Sequence, residues 1–521
     1  MSISNFKIET IKSGALALSG NLIGKFISLP VGIYVASVLN PAGYGLLAIV
    51  TVIIQYIGYL NLGVLSNISR EVPIAYGKNN FDEVKVIYNT VFTNYLITTL
   101  FGIIVLWILH LARLNFASEL STVHIFIISF TIITANAESF LYSYLKGEGK
   151  FLIYGQYELV SKLFIPLSSL VFVYFFGFTG MLLSLIFMHI FGSVFILLKV
   201  KWPTLHIRLN LAKTKELFST GIFMYFNKIV DGFLISIVIL LASMFYASPE
   251  LGILSFSLGF AEISKIPFAT ILTVTVDRKI AYVAGNYGID KYENYSIFLG
   301  TPYVIYLLFL TSAFGIFVIF YSVVVKVFLQ EYILAIPLLI TLFFGLNFYN
   351  ARFFLNSYIN VTRQMKRRSV ILIVGILINI IFGYLSIKLG FGISGLAAVV
   401  AFSMVVISIQ TVLIVFRQVY GNSKEGYYFL LKILIISGLS TALLYGYQDF
   451  TFIYFDLSKL DSFQILLAAS DFGIKCILFV TLVFCLFVGL FRQYKVDSEI
   501  RSLSQYVFLK VVSSIRTRMK P

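Results

Sequence analysis

Residues 136–144 read NAESFLYSY, and residues 350–358 read NARFFLNSY. Six of the nine positions are identical at an offset of 214 residues, and the clearest change turns Glu138 into Arg352. Other landmarks recur near the same offset. The turn Asn40-Pro41-Ala42-Gly43-Tyr44-Gly45-Leu46-Leu47 is echoed, one residue shorter, by Ser248-Pro249-Glu250-Leu251-Gly252-Ile253-Leu254. Gly177-Phe178-Thr179-Gly180 is echoed by Gly392-Ile393-Ser394-Gly395, and Gly14 by Gly221. Several landmarks in register mark an internal duplication.

The composition says where the duplicated unit lives. Of 521 residues, 59% are hydrophobic and 12% charged, with a mean hydropathy of +0.94. A water-soluble protein could not bury that much apolar surface. Apolar runs such as Leu96 to Leu109, Leu163 to Phe176 and Val370 to Ile381 lie in stretches that can span a bilayer core, which takes about 20 helical residues. Fourteen spans are expected, near 13–38, 44–68, 87–111, 122–145, 155–176, 178–198, 217–246, 251–276, 295–320, 332–359, 370–388, 392–416, 428–447 and 464–490.

The net charge of +16 does not indicate nucleic acid. With the N-terminus in the cytoplasm, 29 of the 39 Lys and Arg fall in cytoplasmic segments, four in outer segments and six within spans. This is the positive-inside pattern, and it places both termini in the cytoplasm. The excess also suits adhesion to anionic membrane lipids. The first span is too long for a cleaved signal and lacks its small-residue cleavage site. Cys476 and Cys485 are nine residues apart on one helix, too far for a disulfide.

Six spans separate equivalent positions, so both copies have the same orientation and are related by an axis along the membrane normal. The fold expected is an all-α polytopic membrane protein with 14 transmembrane helices. Two pseudo-twofold-related six-helix lobes occupy 1–205 and 206–416, and 417–521 adds two helices and a basic cytoplasmic tail. Transporters of this build hold substrate between lobes near the midplane and alternate access by rocking them.

The segments KFISLPVGIYVASVLNPAGYGLLAIV and GYLNLGVLSNISREV resemble the N-terminal region of bacterial polysaccharide flippases. These are the O-antigen and capsule repeat-unit exporters of the multidrug/oligosaccharidyl-lipid/polysaccharide superfamily. Asp231 in span seven and the Gly-rich turn before span twelve fit the same pattern, over about the first 415 residues. The resemblance implies a multi-pass protein of the bacterial inner or plasma membrane. It implies translocation of polyprenyl-diphosphate-linked oligosaccharide from the cytoplasmic to the outer leaflet, alongside a polysaccharide polymerase and chain-length machinery. It also permits coupling to Na+ or H+.

Eleven charges lie within spans: Lys25, Glu138, Glu158, Lys162, Lys228, Asp231, Glu262, Lys265, Arg352, Asp471 and Lys475. Each costs roughly 2.5–3.5 kcal/mol at a lipid-facing helix centre, so most must face one another or a wet cavity. Glu158–Lys162 and Asp471–Lys475 are spaced i, i+4, and Lys228–Asp231 and Glu262–Lys265 i, i+3; each pair can neutralise itself along one helix face. Lys25, Glu138 and Arg352 have no partner on their own helix. Glu138 and Arg352 are repeat equivalents, able to meet across the lobes or to find unrelated neighbours.

A cationic cavity of Lys25, Lys228, Lys265 and Arg352 would suit a lipid diphosphate. Glu138, Asp231 and Glu262 are the carboxylates available for ion coupling or cross-lobe pairing. Asn21, Gln55, Tyr56, Asn61, Asn347 and Asn350 could meet sugar hydroxyls or serve as helix–helix glue. Pro30, Pro166, Pro267 and Pro337 interrupt spans as hinges or fixed bends.

Other chemistries are poorly served. The four histidines His110, His124, His189 and His206 lack metal-ligand spacing, and neither a metal nor a cofactor is expected. Gly147-Glu148-Gly149-Lys150-Phe151 is too short for a phosphate-binding loop. A membrane glycan polymerase or acyltransferase would leave the repeat unexplained. A peptidoglycan-precursor flippase shares the chemistry, and a cation-coupled drug exporter would want an acidic pocket.

Overall fold

The computed structural model describes residues 3–61, 63–112, 119–200, 204–208, 210–272, 280, 283, 292–362, 364–421, 423–449 and 462–492. Among them there is no strand. The main helices are α1 (Ile3–Tyr59), α2 (Ile68–Gly77), α3 (Phe81–Leu111), α4 (Thr122–Gly147), α5 (Phe151–Lys199), α6 (Leu211–Ser243) and α7 (Ser248–Leu272). They are followed by α8 (Thr301–Phe328), α9 (Ala335–Val361), α10 (Met365–Lys388), α11 (Gly392–Tyr420), α12 (Lys424–Asp449) and α13 (Ser462–Leu490).

Eleven helices of the described residues are long and apolar enough to cross a membrane. Two of them are each two crossings. α1 has 57 residues and α5 has 49, about twice what a bilayer core of about 30 Å accommodates at about 1.5 Å per residue. α1 is broken at Asn40 (φ 55, ψ 172), just before Pro41, which lacks an N–H to continue the ladder. α5 is broken at Gly177 (φ 54, ψ −130), a conformation open to glycine. With those two divided, and with α7, each of the fourteen expected spans has its helix. Phe175, Phe176, Ile104, Ile108 and Phe126 are exposed, as a lipid-facing surface requires. The chain is an all-α, multi-pass membrane protein.

Three details correct the expected boundaries. The second crossing ends at Tyr59, not near residue 68. Asn61 donates to the Gly58 carbonyl at 2.7 Å and accepts from Gly63 N at 3.0 Å, and Gly63 takes φ 80, so the chain turns there. A 3-10 turn at Val64–Asn67 and the short helix α2 follow, disguised in sequence by a continuing apolar run. Pro337 starts a helix instead of interrupting one: it lies in the first turn of α9, where a missing N–H costs nothing.

The chain divides into two compact units, residues 1–256 with 383–393, and 257–382 with 394–521. In the first, α5 packs along α1 and α4, α2 packs on α3 and α4, and α6 packs on α1 and α3. Ile68, Val72, Val91, Leu145, Ile196 and Leu217 share one core. The segment before α6 is fastened to α3, where His206 N donates to Asn89 Oδ1 at 2.8 Å and Arg208 N to Thr93 Oγ1 at 2.9 Å. The repeat-equivalent glycines Gly45 and Gly252 also meet here. A Cβ on Gly45 would lie 2.1 Å from the Ser248 carbonyl oxygen, and one on Gly252 would lie 1.8 Å from that of Pro41.

In the second unit α8 packs on α9 and α13, and α12 packs on α8, α9 and α13. Tyr303 stacks on Phe429 with ring centroids 5.0 Å apart. The expected i, i+4 pair is present in α13, with Lys475 Nζ 2.8 Å from Asp471 Oδ2.

Gly252→Ala drives a methyl into immovable backbone and is expected to lose about 1–3 kcal/mol. Gly32→Ala meets nothing within 4 Å and should stabilise its helix by roughly 0.5–1 kcal/mol. Thermal unfolding of both purified variants in one detergent checks the contrast.

Candidate functional site

A cavity of about 750 Å³ opens within the first unit. That is within the roughly 300–1,000 Å³ typical of ligand pockets. α1 contributes Gln55 and Tyr59, the turn after it Asn61, and α6 contributes Tyr225. α4 adds Asn136, Glu138, Ser139, Tyr142, Ser143 and Lys146, and α5 adds Tyr157, Glu158, Ser161 and Lys162. The wall gives helices that are otherwise apolar a polar surface.

Glu138 has the most constrained place in it. The residue is 8% exposed, yet both carboxylate oxygens have partners. Tyr157 Oη donates to Oε1 at 2.7 Å, and His189 Nδ1 lies 2.6 Å from Oε2. Tyr157 is on the first leg of α5 and His189 on the second, beyond the break at Gly177. Gly192 makes room, since a Cβ there would stand 1.7 Å from Oε1. The sequence reading passed over His189 because it sought metal-ligand spacing. The available signal was a histidine on an apolar span of the lobe that holds an unpaired carboxylate.

Glu158 and Lys162 do not form the expected local pair. Glu158 Oε1 accepts from Tyr142 Oη at 2.7 Å. Tyr142 Oη is also 2.8 Å from Tyr154 Oη; because Tyr142 spends its proton on the carboxylate, Tyr154 donates in that contact. Among the described residues no carboxylate lies within 4.0 Å of Lys162 Nζ. The second cation, Lys146, sits 4.2 Å from the centroid of the Tyr142 ring and 5.1 Å from that of Tyr154.

Glycines of α1 set the position of Lys162. A Cβ on Gly20 would lie 2.7 Å from Leu159 Cα, and one on Gly24 would lie 2.7 Å from Lys162 Cβ. Gly20 and Gly24 form a small-xxx-small pair that lets two membrane helices touch backbone to backbone. This spacing was readable in the sequence as a close helix contact, but not the helix or the lysine it meets.

The side chains of Lys25, Lys228, Glu262, Lys265 and Asn21 lie outside the described residues. Asp231, on α6, is partly buried and acts electrostatically on Tyr59. Arg352 lies in the second unit, 1% exposed, with its guanidinium carbon 4.2 Å from the centroid of Tyr349. Asn347 and Asn350 are buried in that unit. In the first unit Gln55 donates to Tyr59 Oη at 2.5 Å, and Tyr56 accepts from Ser236 Oγ at 3.1 Å.

Comparison with known proteins gives first the class. The lipid II flippase MurJ, in an inward closed conformation, is similar over 93% of this chain and 100% of its own, at 17% identity and a TM-score of 0.57. An inward-facing multidrug resistance MATE family transporter of the MOP superfamily is similar over 86% of this chain and 96% of its own, at 15% identity and a TM-score of 0.50. The fold is therefore the one these membrane proteins share. No curated protein sequence matches the chain significantly. A family model described as "Polysaccharide biosynthesis protein" matches residues 34–277. The family-model match over 34–277 and the shared fold agree with the resemblance in the sequence to polysaccharide flippases.

Gly192→Ala should push the Glu138 carboxylate off His189 and cost about 1–3 kcal/mol. A fall in the thermal midpoint of the purified protein, with the histidine side-chain resonances of His189 shifted, checks both effects.

Proposed function

We propose that this protein carries polyprenyl-diphosphate-linked oligosaccharide units from the cytoplasmic to the outer leaflet of a bacterial inner or plasma membrane, by alternating access of its lobes. The observation that carries the reading is the cavity in whose wall Lys162 has no carboxylate partner among the described residues. Tyr142 holds Glu158 aside, so one ammonium faces the space and suits a diphosphate, as a point charge does. The rest of the wall suits a glycan: hydroxyl and amide side chains for sugar hydroxyls, and four tyrosines with flat apolar faces. On this reading polysaccharide polymerase and chain-length proteins act downstream.

The likeness to a lipid II flippase and the polysaccharide family model support a lipid-linked saccharide substrate in general. A drug exporter would want surplus acid, whereas two carboxylates and two ammoniums line this cavity. A transporter accounts for the repeat, as a glycan-joining enzyme does not.

The test is the sidedness of lipid-linked glycan in cells lacking the protein. Undecorated cells should hold the polyprenyl-linked oligosaccharide on the cytoplasmic leaflet, and wild type should relieve this. Completed units already facing outward, with only polymerisation lost, would sink the proposal. Lys162→Ala should lower translocation about 10- to 100-fold, the worth of a hydrogen bond to a charged group. Tyr142→Phe should act in the same direction, because Glu158 is then free to pair with Lys162 one helical turn away. Membrane-inserted protein levels, compared with wild type, separate these effects from misfolding.

A further inference from the structure

A second cavity, of about 180 Å³, lies within the second unit. α8 lines it from Val318 to Val327, α12 with Leu444, Tyr447 and Gln448, and α13 with Asp471 and Lys475. Nine residues of helix rise about 14 Å, so the cavity is a slot along the last turns of α8. α8 ends at Phe328 and α12 at Asp449; with both termini in the cytoplasm, these are outer ends. Tyr447 lines the slot and Tyr445 beside it is exposed, a placement typical of tyrosines at a membrane–water interface. Ile477 and Leu478, just past Lys475 on α13, are exposed as well. The slot thus borders the lipid of the outer leaflet.

Lys475 is 7% exposed, and its ammonium has three N–H donors. Asp471 Oδ2, 2.8 Å away, takes one. Among the described residues no further partner meets Lys475. A buried ammonium in a membrane is costly unless its donors are met, and this one lines the slot. Lys326 is the second cation of the lining. It is one of only four Lys or Arg on outer segments, the side that positive-inside chains leave poor in cations. Its ammonium donates to the Gln448 carbonyl, at the negative end of the α12 dipole. That contact holds it at the outer end of the slot.

We propose that this slot binds the phosphate of an anionic phospholipid from the outer leaflet. Two ammoniums and one carboxylate line it, so one negative charge brings the lining to neutrality. A phosphodiester supplies that charge, with acceptor oxygens for the remaining N–H groups of Lys475. The rest of the wall selects a lipid over a free anion. Val318, Ile319, Val323, Val327 and Leu444 are aliphatic and gain nothing from inorganic phosphate, whereas the glycerol and first methylenes of a lipid cover them. The volume is below the roughly 300–1,000 Å³ that encloses a whole ligand. The slot therefore takes the headgroup region and leaves the acyl chains in the bilayer. A lipid bound there touches α8, α12 and α13 at once, and so fastens the two helices beyond the repeat to one within it.

The site does not depend on what the protein transports. Full-length protein, stripped of lipid in detergent, is titrated with dihexanoyl-phosphatidylglycerol, and binding is read from the rise in thermal midpoint. Dihexanoyl-phosphatidylcholine, dihexanoylglycerol and inorganic phosphate are the comparison probes. Phosphatidylglycerol should raise the midpoint most. Choline brings back a surplus positive charge, and the other two probes each lack one half of the ligand. Asp471→Asn combined with Lys475→Met removes the ammonium without stranding a buried carboxylate, and affinity should fall about 10- to 100-fold. Ser322→Phe fills the slot, keeps every charge and should weaken binding in the same direction. A response to any comparison probe as large as that to phosphatidylglycerol, or binding undiminished in either variant, overturns the site.

Photolabelling of wild type needs no variant. A phosphatidylglycerol carrying a diazirine beside its glycerol should label residues 318–327, 444–448 or 471–475 above the other lipid-facing segments. Labelling spread evenly over the lipid-facing helices overturns the proposal even where the variants fail to fold.

Discussion

A charge inside a bilayer has to be met by something, because the surrounding hydrocarbon offers it nothing. That constraint organises the first unit. Glu138 is met by a tyrosine and a histidine. Glu158 is met by a tyrosine whose own acceptor lone pair is filled by a second tyrosine. Neither carboxylate takes a lysine as partner. The acids accept from phenols and a histidine, and the ammoniums of Lys146 and Lys162 line the cavity. If Glu158 had been paired with Lys162, insertion would have been as well served and that ammonium would not have been left to the cavity.

This arrangement depends on glycine at several points of closest approach. Gly20 and Gly24 bring α1 onto α5 next to Lys162, and Gly192 brings the second leg of α5 onto the Glu138 carboxylate. In each case the function of the charged residue is fixed by the missing side chain of another. The second unit treats its charges differently. Asp471 and Lys475 pair on one helix turn of α13, and Arg352 spreads its charge over the ring of Tyr349.

The architecture was legible in the sequence because its determinants are local. Apolar runs fix the spans, the distribution of Lys and Arg suggests their orientation, and repeated turns disclose the duplication. The glycines aligned by the repeat, Gly177 and Gly392, both take positive φ. The helix boundary at Tyr59 was not legible, because the apolar run continues through the turn made by Asn61 and Gly63. The site was legible only in part. Glu138 stood out as an unpaired carboxylate, but its partners are 19 and 51 residues away, and no spacing rule reaches that far. Glu158 and Lys162 misled because i, i+4 spacing permits a pair without requiring one, and a phenol on the neighbouring helix competes for the acid. The lysine was disguised by its apparent partner.

The reversal of α5 at Gly177 takes one residue, and so does the break of α1 at Asn40. At those ends the protein has almost no loop. A protease finds no extended strand to cut, an antibody finds little relief to grip, and an inserted epitope would split a helix instead of lengthening a turn. The segment before α6 is longer, but its backbone is pinned to α3 by Asn89 and Thr93. At Asn40 and Gly177 the chain thus turns back with few handles for protease or antibody.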